Sequence, residues 1–167
     1  MISTLLVEHS WVAPTLLVVV VVAGLLAGPT LAAHRRLTWT LASVSLLPVL
    51  ALTLVPVDRE LFARCTVQWA LPTPGRVELM ANVVLFVAPV LLLGIALRRP
   101  VAALLAGTGA SVALEVVQAV VPAIGRSCDT NDWLANTLGA VLGAALALVA
   151  LRRAQRVWAS QAANIAA

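Results

Sequence analysis

Five apolar stretches separated by short polar breaks run along the chain: Trp11–Ala33, Thr38–Val57, Glu78–Leu97, Val101–Val121 and Asp132–Leu151. A helix rising 1.5 Å per residue needs about 20 residues to cross about 30 Å of hydrocarbon, and each stretch has about that length. The bilayer interior offers no partner to unpaired backbone groups, so each must be helical. The pattern therefore predicts an all-α, polytopic transmembrane bundle of five spans, with residues 1–167 forming one membrane domain. No internal repeat, heptad pattern or low-complexity tract interrupts it.

Composition agrees. Hydrophobic residues make up 62% of the chain and charged residues 11%, and mean hydropathy is +1.02, which excludes a soluble globular domain. The isoelectric point near 11.0 raises nucleic acid as a partner, but the basic residues form no single basic face and no run interleaved with aromatics, so none is expected. All eleven are Arg, which together with the Ala, Val and Leu excess suits a GC-rich bacterial genome.

The Arg positions instead set topology. His34-Arg35-Arg36, Arg98-Arg99 and Arg152-Arg153 with Arg156 follow the first, third and fifth spans and include no acid. Arg59, Arg64, Arg76 and Arg126 share the opposite side with Glu8, Asp58, Glu60, Glu78, Asp129 and Asp132. The positive-inside rule then places the N-terminus outside and the C-terminus in the cytoplasm, in the cytoplasmic membrane of a bacterium. Trp11, Trp39, Trp133 and Trp158 fall near span ends, as an interfacial aromatic belt would. The first span lacks a basic leader region and has a long apolar core, so it reads as a retained helix, not a cleaved signal. Pro48 and Pro89 sit inside spans and are read as shaping packing. The tail after Arg156 is expected to fray.

Cys65 and Cys128 both fall on the extracytoplasmic, oxidising side in this topology, which predicts a disulfide between them. The alternative is two free thiols. Two cysteines with no nearby His do not suggest a metal site, and no cofactor is expected.

The polar residues inside the oily sequence carry the functional reading, because ionisable groups at membrane depth cost energy and usually persist for a function. Glu115 and Gln118 lie in the outer third of span four. Arg126 lies in the loop beyond it, Asp129 and Asp132 at the mouth of span five, and Asn136 one turn deeper. Glu78 and Asn82 begin span three. The spacing places each set on one helix face, and all sit at the outer leaflet. Glu78, Asn82, Glu115, Gln118, Arg126, Asp129, Asp132 and Asn136 are therefore the candidate binding residues, with Arg126 the expected partner of Glu115. Five have a structural alternative: Asp129 and Asp132 as helix caps, Asn82 and Asn136 as interhelical hydrogen bonds, Arg126 as a headgroup anchor or the partner of a nearby acid; no structural need puts a carboxylate at Glu115. Gly139 and Gly143 continue the Asp132–Asn136 stripe inward and read as helix packing.

Asn82, Phe86 and Pro89, then Glu115 and Gln118, Arg126, Asp129, Asp132, Asn136, Gly139 and Gly143, in this order and with apolar spans between them, resemble the VanZ-like family of bacterial membrane proteins over roughly Pro48 to Arg153. The first span lies outside these motifs and reads as a variable addition. The family's namesake is associated with low-level resistance to the glycopeptide teicoplanin, so the resemblance implies a cell-envelope role near peptidoglycan precursors or other anionic lipids.

Three functions compete. One is a binding protein for a lipid headgroup or a lipid-linked envelope precursor, with Arg126 on a phosphate. The second is an enzyme acting on a polyprenyl- or phospholipid-linked substrate, using Glu115, Asp129 and Asp132 for acid–base work or for a divalent metal; no His stands near them. The third is an accessory subunit with a membrane-protein partner. Transport ranks last, because five spans without inverted repeats are few.

Overall fold

The computed structural model describes residues 8–58 and 63–166. Arg59 and Glu60, two of the charges used for topology, lie outside the described residues. Among the described residues, five long helices form: α1 (Val12–Leu31), α2 (Arg35–Leu54), α3 (Val77–Leu97), α4 (Pro100–Val120) and α5 (Thr130–Ala166). All five are long and apolar enough to cross a membrane, as the hydropathy pattern predicts. Pro48 and Pro89 are carried inside helices α2 and α3.

Helix α5 departs from expectation. It has 37 residues and runs to Ala166, so the tail expected to fray is helical. Residues 152–166 hold no Gly or Pro and are rich in Ala, Arg and Gln. Such residues extend an existing helix at little cost, because nucleation has already occurred.

Helix α3 is the centre of the bundle. It packs on each of the other four helices, and Val87 and Val90 are almost fully buried. Its tightest seam is with α5, where Gly139 and Gly143 act as the small-residue spacing predicts. A Cβ at Gly139 would strike the Val83 carbonyl oxygen, and one at Gly143 would lie 2.5 Å from the Val87 carbonyl oxygen. A second close seam joins α1 to the same core. There a Cβ at Gly24 would lie 2.7 Å from Leu91 Cδ2, and one at Gly28 would lie 2.6 Å from Ala150 Cβ. Helices α2 and α4 both rest on α3 but scarcely meet each other.

The two ends of the bundle differ. At one end lie the arginine clusters. Arg98 Nη2 donates to the Ala32 carbonyl (3.3 Å), Arg153 Nη1 donates to the Leu25 carbonyl (3.2 Å), and the Arg98 guanidinium sits 5.3 Å from the Trp158 ring centroid. At the other end, a 3-10 turn at Pro122–Ile124 leads into Gly125, whose φ of +69° is the left-handed region. Any side chain there would run into the Val57 carbonyl, so glycine is required twice over. Two short strands form at this end, β1 (Cys65–Thr66) and β2 (Cys128–Asp129). They pair in parallel, with Cys65 opposite Cys128. The Cα atoms of these cysteines are 4.5 Å apart and the expected disulfide joins them.

Candidate functional site

The strand pair and disulfide bring the β1 segment against the start of α5, and the polar residues assemble around this junction. Asp129 caps α5: its Oδ1 accepts from the Asn131 amide (2.8 Å), the second-residue position that an N-cap carboxylate satisfies. Its Oδ2 accepts from Gln68 Nε2 (2.8 Å). Thr130 Oγ1 donates to the Gln68 carbonyl (2.6 Å) and accepts from the Gln68 amide (2.9 Å). Asn131 Oδ1 accepts from the Ala70 amide (2.7 Å). Both Asp129 oxygens are thus committed to structure.

The carboxylate of Glu115 reaches the same junction from α4. Its Oε2 accepts from the Asp129 amide (2.7 Å). This replaces the expected Glu115–Arg126 pair. The loop folds so that a backbone N–H, already fixed by the strand pairing, lies nearer the carboxylate than the guanidinium does. Arg126 is half-buried, and its Nε is enclosed without a hydrogen-bond partner. Asp132 lies in the first turn of α5, where the helix dipole favours a negative charge. It does not cap the helix; its Oδ1 accepts from Asn82 Nδ2 on α3 (2.7 Å). One turn deeper, Asn136 Nδ2 donates to Ser111 Oγ on α4 (2.9 Å). Asn136 is 3% exposed and Ser111 0%, yet Asn136 Oδ1 has no partner.

Asn82, Glu115, Arg126, Asp129, Asp132 and Asn136 therefore come together where α3, α4 and α5 meet. Glu115, Asp129 and Asp132 lie near enough for their charges to repel, and Arg126 lies near enough to Asp132 to attract it. Glu115 and Asp132 each keep one oxygen that no described residue takes up. Glu78 is exposed in the first turn of α3, at the rim. Gln118 points elsewhere: its Nε2 donates to the Thr53 carbonyl (3.0 Å), tying α4 to α2.

Trp133 packs edge-on against Trp69, with ring centroids 6.1 Å apart, and its Nε1 is buried without a partner, as is Thr137 Oγ1. The sequence reading places Trp133 only at the interface and misses Gln68, Thr130, Asn131 and Ser111 as members of this junction. Thr130 and Asn131 stand beside Asp129 in an N-cap pattern, a signal that was present. Gln68 and Ser111 carry no local signal, because their partners lie 62 and 25 residues away. Among the described residues, no group of three or more His, Cys, Asp or Glu is arranged to hold a metal ion.

No curated protein and no solved structure matches the chain. A family model does: VanZ/LLP1 matches residues 11–151, taking in the first span that the motifs alone leave out.

Proposed function

The chain belongs to the VanZ/LLP1 family, and from that premise we propose that this multi-pass membrane protein binds the anionic headgroup of a lipid, or of a lipid-linked envelope precursor, at the junction of α3, α4 and α5. The observation that carries the reading is an enclosed donor and an enclosed acceptor with nothing to bond. Arg126 Nε and Asn136 Oδ1 both lie in this junction unpaired. A buried polar group without a partner costs about 1–3 kcal/mol, a cost that a ligand bonding to both would remove. Arg126 suits a phosphate through its forked donors. Asn136, Asn82 and the open oxygens of Glu115 and Asp132 suit hydroxyl or amide groups of an attached sugar or peptide.

In the proposed orientation the arginine clusters face the cytoplasm and the disulfide end faces outward, so the site opens at the outer leaflet of the bacterial cytoplasmic membrane. A site there meets envelope precursors after they have crossed the bilayer. That placement supplies a route by which such a protein would alter exposure to a glycopeptide such as teicoplanin. Native mass spectrometry of the purified full chain with a phosphate-headed lipid tests the reading. Arg126→Ala is expected to weaken binding at least tenfold while Arg64→Ala leaves it unchanged. Equal affinity in Arg126→Ala and the unmodified chain would remove Arg126, and the reading with it.

The two open carboxylate oxygens support a second reading, an enzyme using Glu115 and Asp132 for proton transfer on the bound lipid. Turnover of a lipid-linked substrate that vanishes in Asp132→Asn while binding persists would establish it. Co-purification of a stoichiometric membrane partner without lipid would favour an accessory subunit instead.

A further inference from the structure

Below the polar junction, between α2 and α4, lies an apolar groove of about 250 Å³. It exists because both helices pack on α3 without closing on each other. Its floor is Phe86, Pro89 and Leu93 of α3, and its walls are Ala42 and Leu46 of α2 and Ala106 and Ala110 of α4. From Trp39 to Val49, the α2 wall covers about 15 Å at 1.5 Å per residue, half the hydrocarbon thickness of a bilayer.

Two of the three helices that line the groove, α3 and α4, also carry the polar site, on continuous faces. On α3, Asn82, Phe86, Pro89 and Leu93 recur at spacings of four, three and four residues, which is one helical stripe. It begins at the hydrogen bond to Asp132 and ends in the groove. On α4, Gly107, Ser111 and Glu115 form a second stripe that runs from the groove wall through the Asn136 contact to the Asp129 contact. Both stripes are polar at the disulfide end and apolar below it. The α4 wall is lined with small side chains, Ala106, Gly107 and Ala110, leaving width between α2 and α4. At the disulfide end the Gln118 bond to Thr53 holds these two helices at a fixed separation.

We infer that the polar junction and this groove are two parts of one lipid site, and that the groove holds the hydrocarbon chain of a polyprenyl phosphate whose headgroup occupies the junction. This rests on the headgroup reading above and adds the chemistry of the tail. The groove's volume of about 250 Å³ suits a segment of one chain. A diacyl lipid would leave its second chain outside the groove, whereas a polyprenyl phosphate has only one chain to place.

The test measures binding of a long-chain polyprenyl phosphate to the full chain by native mass spectrometry, with a diacyl phosphatidic acid as competitor. Ala110→Phe puts a ring into the groove from a wall position that is exposed and outside the core. It is expected to weaken polyprenyl phosphate binding at least tenfold. Ser43→Leu narrows the opposite wall and is expected to act in the same direction, which covers the case in which Ala110→Phe fails to fold. Ala102→Phe, on α4 outside the groove, is the control and is expected to bind as the unmodified chain does. The competitor should displace polyprenyl phosphate only at a large excess. If the groove variants bind normally while Arg126→Ala does not, the groove assignment falls and the headgroup reading stands. Equal competition by phosphatidic acid overturns the one-chain assignment. Loss of binding in Ala102→Phe as great as in Ala110→Phe also overturns it. If the unmodified chain binds neither lipid, or binds them independently of Arg126, both the headgroup reading and the inference drawn from it are overturned.

Discussion

The two ends of the bundle hold their polar side chains in opposite ways. At the arginine end, Arg98 and Arg153 reach main-chain carbonyls and a tryptophan face. The two carbonyl contacts join a flexible charged side chain to a group that needs no particular residue type. At the disulfide end, side chains from different segments bond each other: Asn82 with Asp132, Asn136 with Ser111, Gln68 with Asp129. A covalent bridge lies beside them. The first arrangement anchors helices at an interface and tolerates exchange. The second fixes the relative position of three helices, which a binding site requires.

Substitutions at five positions test this contrast. The largest effect is expected from Cys65→Ser. Loss of a disulfide whose cysteines are 63 residues apart should cost about 2–4 kcal/mol in unfolding measured in detergent, and hydrogen exchange should rise at Gln68 and Ala70 but not near Arg98. An equal rise at both ends would erase the contrast. Next, Glu115→Ala removes the acceptor for the Asp129 amide and should cost about 1–3 kcal/mol. Glu115→Gln should recover most of it, since its side-chain carbonyl can accept the same N–H. If Gln is as damaging as Ala, the charge of Glu115 matters more than this bond. Third, Asn82→Ala should cost about 0.6 kcal/mol, the average for interhelical hydrogen bonds in a membrane protein. A double-mutant cycle with Asp132→Ala would show whether the coupling is real. The smallest effect belongs to Arg98→Ala, about 0.5 kcal/mol for an exposed cation–π contact. A loss there above that of Glu115→Ala would show the arginine end to be the more rigid one.

Much of the fold was legible because hydrophobicity alone decides which segments cross a membrane. Span positions, the Gly139/Gly143 seam and the Cys65–Cys128 bridge all follow from local pattern and compartment. The rotation of one helix about another was not legible. Spacing shows that Asp132 and Asn136 share a face of α5, but not that α3 presents Asn82 to the first while α4 presents Ser111 to the second. Ser111 carries no signal of its role in the sequence, because its partner is defined only by packing. Pairing by charge likewise suggested Arg126 for Glu115. A backbone amide positioned by two short strands took that place, and no charge count reveals such an amide. The Gly24/Gly28 seam has the same spacing as Gly139/Gly143, but only the latter pair continues a polar stripe.

The bridge between β1 and β2 also changes what kind of molecule this is in covalent terms. The chain from Cys65 to Cys128 is a closed ring that contains all of α3 and α4, with α1 and α2 attached on one side and α5 on the other. One peptide-bond cut anywhere inside that ring leaves the five helices as a single covalent species, whereas one cut in the link between α1 and α2 releases α1. An enzyme that nicks the linker near Pro74 and Gly75 would therefore open the ring without dividing the protein, and the fragments would separate only after reduction.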